Sequence, residues 1–485
     1  MLCRDPVRDE PVTKRQSPSS SLTTMAKDPP LLSSPAPSST IQTDVTISHV
    51  QLRDLIVCPR EQGVVNYVQD KSIKEVNVRK PSEPPRTLVE LAFVPNTLSS
   101  LSIPDTNQTL LAAGGQDAEV HLSLLRDSNN RVDWQFSTHL DGSINNSILL
   151  TSLSLTDSPE SSIEPRMAVS NNDRCVMFFD VPIRARPAGI AQVGSVHMNV
   201  PINHSSISPD GRTLLSVGDS SKIYLHRLTG GGYVTATSIA TLTLPPTPPN
   251  PNASPALVAS FSTAFSADGS KYAVASQEGF VAIWDVRSTR PLKVFHTDKS
   301  RGGNASMAWD PQDWSNWKSR GPGWSTRAVK FGGRPERELM MFTEHTSLVH
   351  VVDARTFERE EIIEMPRFEP ITRPMSPASA VAARFASTLE ETFRVAIASE
   401  TDGDEDVLVI PPLGDHAVEQ EVRRVLQQHG MRSRSRSGSE LEADLAGACF
   451  DPSGANIYVA SDMGIAEWQV RGADKRWWSG GAWQR

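Results

Sequence analysis

The chain has 485 residues and a net charge of −8, and this mild acidity argues against a general polyanion binder. Hydrophobic residues make up 38 % and there are 36 prolines, which points to a folded body carrying long unfolded insertions. The sequence has no run of about eighteen apolar residues, so a spanning helix is excluded.

The N-terminal Met1-Leu-Cys-Arg-Asp-Pro6 lacks the apolar core of a signal peptide, so the expected location is intracellular, cytoplasmic and/or nuclear. Asn-x-Ser/Thr triplets starting at Asn107, Asn145, Asn203, Asn252 and Asn304 are then not expected to be glycosylated. Cys3, Cys58, Cys175 and Cys449 are far apart and form no CxxC pair, as in a reduced compartment.

Residues 1–40 are rich in Ser, Pro and Thr without apolar periodicity and read as a disordered tail. From Val45 onward, short alternating β segments are separated by turn residues. Tyr272–Arg287 sets their register. Tyr272–Ser276 is β-rich, Gln277-Glu-Gly279 supplies a turn, and Phe280–Val286 alternates and carries Trp284-Asp285. Phe265-Ser-Ala-Asp-Gly269 upstream ends a strand in an Asp-Gly turn.

The same grammar recurs along the chain. Aligned on Trp284, the repeats fall at Val76, Ser123, Phe179, His226, Trp284, Val352 and Trp468. The first four intervals run from 47 to 58 residues, the fifth is 68 and the last, from Val352 to Trp468, is 116. Sheets of this size expose two edges and two apolar faces unless they pack radially into a ring. The expected fold is all-β, a propeller of seven blades with a long insertion before the last. Eight blades is the alternative, because residues 380–413 contain three further strand-like segments. Six blades are assigned to 41–365, the insertion to 366–444, and the last blade with a Trp-rich end to 445–485. Val45-Thr-Ile-Ser-His-Val50, without a partner in its own repeat, is the candidate outer strand of the last blade.

With Ser208-Pro-Asp-Gly211, Trp284-Asp285 and Asp451-Pro-Ser-Gly454, the chain resembles a WD40-repeat protein over about residues 45–483. More narrowly, it is similar to a family of uncharacterised fungal WD-repeat proteins. It departs from the WD40 pattern in having no Gly-His dipeptide and a single true Trp-Asp repeat ending.

Three stretches between repeats stand out. Pro245-Pro-Thr-Pro-Pro-Asn-Pro251 is a stiff extended loop. In the long insertion, Glu400–Asp406 is acidic, His416–Gln428 has helical spacing with Asp415 and Gly430 as candidate caps, and Arg432–Ser439 alternates Arg and Ser. Trp309, Trp314, Trp317 and Trp324 crowd a Pro/Gly-broken connector, and Trp477, Trp478 and Trp483 lie near the end; each group is either a groove plug or an interface anchor.

Catalytic motifs are missing: no Walker loop, Gly-x-Ser-x-Gly elbow or His-Glu-x-x-His occurs. His345 and His350 sit five apart in a strand repeat, a spacing that turns them to opposite faces of a pleat. Asp210, Asp268 and Asp451 are explained by turn chemistry and Gly230-Gly-Gly232 by a loop. No enzyme, cofactor or metal is expected. Val274–Arg287 also resembles the WDxR box of substrate receptors for cullin-type ubiquitin ligases. That resemblance implies that Arg287 reaches the ligase's adaptor, with Trp284 and Asp285 setting the blade edge. Glu278 stands where the box usually has Asp, and Val352-Asp-Ala-Arg355 is a weaker second copy. The leading expectation is a scaffold that binds other proteins, with a ubiquitin-ligase receptor as the alternative. RNA association through the Trp connector and the Arg-Ser run is a further alternative, and the net acidity argues against it.

Overall fold

The computed structural model describes residues 30–49, 51–103, 106–126, 131–151, 165–184, 189–230, 232–246, 258–298, 325–334, 336–368 and 442–472. Its strands form seven four-stranded antiparallel sheets. Each sheet is a blade, and six of them take their strands in chain order from the inside outward. Their inner strands are Ile56–Val57, Thr97–Ile103, Asn145–Thr151, Ile202–Ile207, Ser260–Phe265 and Thr326–Arg334 for blades one to six, with Leu445–Phe450 for blade seven. Each inner strand packs against the next around the molecule, and that of blade seven returns to that of blade one. The ring is a seven-bladed β-propeller.

Blades six and seven touch directly, through their inner strands and a bridge between Thr346 and Asp444. No sheet intervenes, so the long interval is an insertion and the ring closes at seven. The strand-like segments at 380–413, the acidic stretch 400–406, the helical spacing at 416–428 and the Arg-Ser run fall outside the described residues. Among the described residues no helix is long and apolar enough to cross a membrane.

The repeat register holds in the structure. Val76, Ser123, Phe179, His226, Trp284, Val352 and Trp468 are each the fifth residue of a third strand. All seven are buried, because this position packs between neighbouring sheets. Trp284 is fully buried and stacks on Tyr272, with ring centroids 5.5 Å apart. The Asp-Gly turns behave as their chemistry requires. Asp268 accepts from the Ser266 hydroxyl at 2.6 Å and the Ser270 N–H at 2.9 Å, while Gly269 adopts a φ of 69°.

The closing blade differs from expectation. Its outer strand is Ser39–Gln42, paired antiparallel with Gly464–Gln469, and not Val45–Val50. Only Ile41 of this strand is buried, so one apolar side chain left no alternation to detect. Val45 is buried too, in the core shared by blades one and seven, where its N–H donates to the Asp462 carbonyl as the chain turns inward. Residues 31–40, assigned in sequence to the disordered tail, belong to the folded body. Leu31 and Leu32 are buried against blades six and seven, and their N–H groups donate to the Glu361 carboxylate at 2.7 and 3.1 Å.

Candidate functional site

Antiparallel order fixes which loops share a face. The start of each inner strand lies beside the turn joining the second and third strands; the opposite face carries the first-to-second and third-to-fourth turns. The WDxR stretch exits on that opposite face. Arg287 folds back on Asp285: its backbone N–H and Nε each donate to Oδ1 at 2.9 Å, and its terminal nitrogen donates to Oδ2 at 2.7 Å. The Arg287 side chain is 84 % exposed, and the pair holds the Asp285 carboxyl well below the usual carboxylate range. Val286 and Leu292, on the same turn, are among the exposed large hydrophobic residues. Trp284 supports this turn from beneath and offers no surface of its own. In the second copy the Arg355 N–H donates to Asp353 at 3.0 Å, but its guanidinium donates to the Glu336 carbonyl. Trp309, Trp314, Trp317 and Trp324 lie outside the described residues, as do the three C-terminal tryptophans.

The other face holds a charged cluster that the repeat pattern did not reveal. Asp54 leads into blade one, His204 belongs to blade four and Lys330 to blade six. No two of these blades are neighbours, so their meeting crosses the central channel. Lys330 Nζ lies 2.9 Å from Asp54 Oδ1, and His204 Nε2 lies 3.8 Å from Asp54 Oδ2. Burial would raise the Asp54 carboxyl, but Lys330 and His204 outweigh it and hold it at about 2. His204 goes down, chiefly through burial. Its Nδ1 accepts from the Thr263 N–H at 3.2 Å, and the Thr263 hydroxyl donates to Ser206 at 2.9 Å.

Above this cluster the inner strands share one irregularity. Blades three to seven each carry a register shift at the second residue of the strand: Asn146, Asn203, Phe261, Arg327 and Ala446. A bulge re-aims the extra side chain, and from blade three to blade six it joins each blade to the next. Asn146 donates to the Ile202 carbonyl at 2.9 Å, and Asn203 donates to the Ser260 carbonyl at 3.2 Å. Phe261 lies under the Arg327 guanidinium, 4.7 Å from ring centroid to central carbon. Leu52, from the lead-in to blade one, packs with Ala259 and Phe261 of blade five across the channel mouth. Asn145 and Asn203, read in sequence as triplets, are thus buried inner-strand residues.

His345 and His350 separate onto different elements. His345 sits in the turn after the second strand of blade six, beside Arg327. His350 is buried in the third strand, where Nε2 lies 2.9 Å from Glu344 and Nδ1 lies 2.7 Å from Glu360.

In class the molecule is a seven-bladed propeller, and its described residues include an exposed arginine turn and a charged channel mouth. A family model described as an uncharacterised protein domain, DUF2415, matches residues 325–364, which span blade six. That blade supplies Arg327, Lys330 and His345 to the channel. The chain is also similar to a Schizosaccharomyces pombe protein described as uncharacterized protein C4G3.03, at 22 % identity over 310 residues. The match covers 64 % of this chain and 58 % of that protein, so the chain spans little more than half of its relative's length.

Proposed function

We propose that the chain is a non-enzymatic scaffold that binds other proteins and docks through the turn after Trp284. The observation that supports this is the turn itself. Val286 and Leu292 are 47 % and 55 % exposed beside Arg287, an apolar pair flanking a cation. Exposed aliphatic surface next to an arginine is the composition of an interface anchor. The Arg287–Asp285 pair is solvent-exposed, so opening it to engage a partner costs little. The finer reading takes the WDxR resemblance at face value: the partner is the adaptor of a cullin-type ubiquitin ligase, and the protein is a substrate receptor.

Charged side chains do converge on the channel, yet they favour binding over hydrolysis. Asp54 is held by Lys330, and the hydroxyl next to His204 is buried and donates to Ser206. Affinity purification of the wild type and of Arg287→Ala and Leu292→Ser variants tests the docking turn. Both variants should retain the fold and lose the stoichiometric partner, including the adaptor if the finer reading holds. Full recovery of every partner by both would remove the turn from consideration.

A further inference from the structure

The mouth of the channel contains two buried guanidinium groups with donors to spare. Arg327 is 2 % exposed, and its Nε donates to His345 Nδ1 at 3.0 Å. Neither of its terminal nitrogens has a hydrogen-bond partner. Arg53 is 5 % exposed and gives one terminal nitrogen to the carbonyls of His49 and Leu52, leaving Nε without a partner. A buried N–H donor without an acceptor costs free energy, and more so on a charged group. Burial first, and then the charge of Arg53, push the Arg327 guanidinium well down. Two like charges held side by side with idle donors are a poor arrangement unless something negative joins them. Asp444 eases the charge on both guanidinium groups and Asp462 that on Arg53, yet no carboxylate takes the terminal donors of Arg327.

We infer that this mouth is a binding site for a small oxyanion, a carboxylate or phosphate group that bridges Arg327 and Arg53. The geometry defines the chemistry. With Nε committed to His345, the edge of Arg327 that remains carries two parallel N–H donors, which match two oxygens of one such group. Phe261 supports the plane of that edge, so its direction is set before a ligand arrives. Arg53 adds a second cation from the opposite side of the ring seam, on a different blade. The site lies on the face away from the Asp285 turn, so it stands independently of the docking proposal.

Thermal unfolding of the full chain, titrated with inorganic phosphate or succinate against sodium chloride at matched ionic strength, is the experiment. The midpoint of the wild type should rise by about 2 °C or more with at least one oxyanion. Phosphate alone identifies a phosphate ligand, succinate alone a carboxylate. Arg327→Met, which removes the idle charge and leaves an unbranched apolar side chain, should be no less stable in chloride and should lose the oxyanion effect. Arg327→Lys keeps the charge but loses the paired donors, and should weaken the response at least tenfold in concentration. Identical wild-type midpoints in all three salts would overturn the inference. So would an undiminished oxyanion effect in whichever of the two variants folds.

Discussion

Arg79 of blade one grips Glu467 of blade seven, with Nε 2.9 Å and its terminal nitrogen 2.6 Å from the same carboxylate oxygen. Glu467 is 1 % exposed and accepts also from the Tyr458 hydroxyl at 3.0 Å, while the Gly63 N–H donates to that hydroxyl at 2.6 Å. This network spans the seam where the first and last blades meet. Removing Arg79 strands a buried carboxylate, so Arg79→Ala should destabilise by about 2–4 kcal/mol. Tyr458→Phe, which deletes one hydrogen bond from the set, should cost about 1 kcal/mol. Urea unfolding of the two variants checks the ranking, and an equal or reversed order contradicts it.

The segment from Leu31 to Gln42 holds the same seam from outside. Leu32 is 2 % exposed, and Trp468 Nε1 donates to the Pro35 carbonyl at 3.0 Å. Leu32→Ala should lower stability by about 2–4 kcal/mol. Deleting residues through Gln42 should cost more than any single substitution there, because blade seven loses its outer strand. Calorimetry would show this as a fall in midpoint larger than that of Leu32→Ala.

Trp284 and Arg287, three residues apart, should separate cleanly. Trp284→Ala removes a fully buried ring stacked on Tyr272 and should cost about 3–5 kcal/mol. Arg287→Ala, at an exposed pair, should change stability by less than about 1 kcal/mol. Partner recovery should fail for Arg287→Ala without any change in its melting profile. A large loss of stability in that variant would mean that the turn is structural.

A half-buried and a buried group give pH dependences of opposite sign. The Asp54 carboxyl is lowered from 3.8 to about 2 in the folded state, so its contribution is present above pH 3.8 and is lost as pH falls toward 2. Its side chain is 22 % exposed, and with that screening the contribution is about 1–2 kcal/mol. Asp54→Asn should therefore differ most from the wild type at neutral pH and converge with it near pH 2. Burial pulls His350 down, but its hydrogen bonds to Glu344 and Glu360 prevail and raise it above 6.5. Its contribution is complete below pH 6.5 and is lost as pH rises through the folded-state value. Unfolding midpoints of wild type and His350→Gln should therefore converge on the alkaline side.

How much of this was legible depended on what each residue does for the period. The position of Trp284 packs between sheets in every blade, so even Ser123 and His226 could be found by counting. The closing strand could not, since Ile41 is its single buried side chain. Arg327 was hidden for a different reason. In a regular strand the residue between Thr326 and Ala328 alternates with its neighbours, but the bulge breaks that alternation and turns a cation toward the centre. Arg53 and Asp54 precede a two-residue strand, too short for any period to show. The WDxR turn was visible because its chemistry is local. The channel was not, because it is assembled from blades one, four, five and six.

The seam also sets an order of events during synthesis. Ser38 bonds to Glu467, a partner 429 residues further along the chain. Until that distant strand leaves the ribosome, blade one has no neighbour on its open side, and the strand that will finish blade seven has nothing to pair with. The nascent chain thus carries an uncovered apolar sheet face and an unpaired strand through most of its translation, the kind of exposed surface on which chaperones act. Ring closure needs Ser39–Gln42 to pair with Gly464–Gln469, and the channel mouth that joins Arg53 to Arg327 exists only in the closed ring.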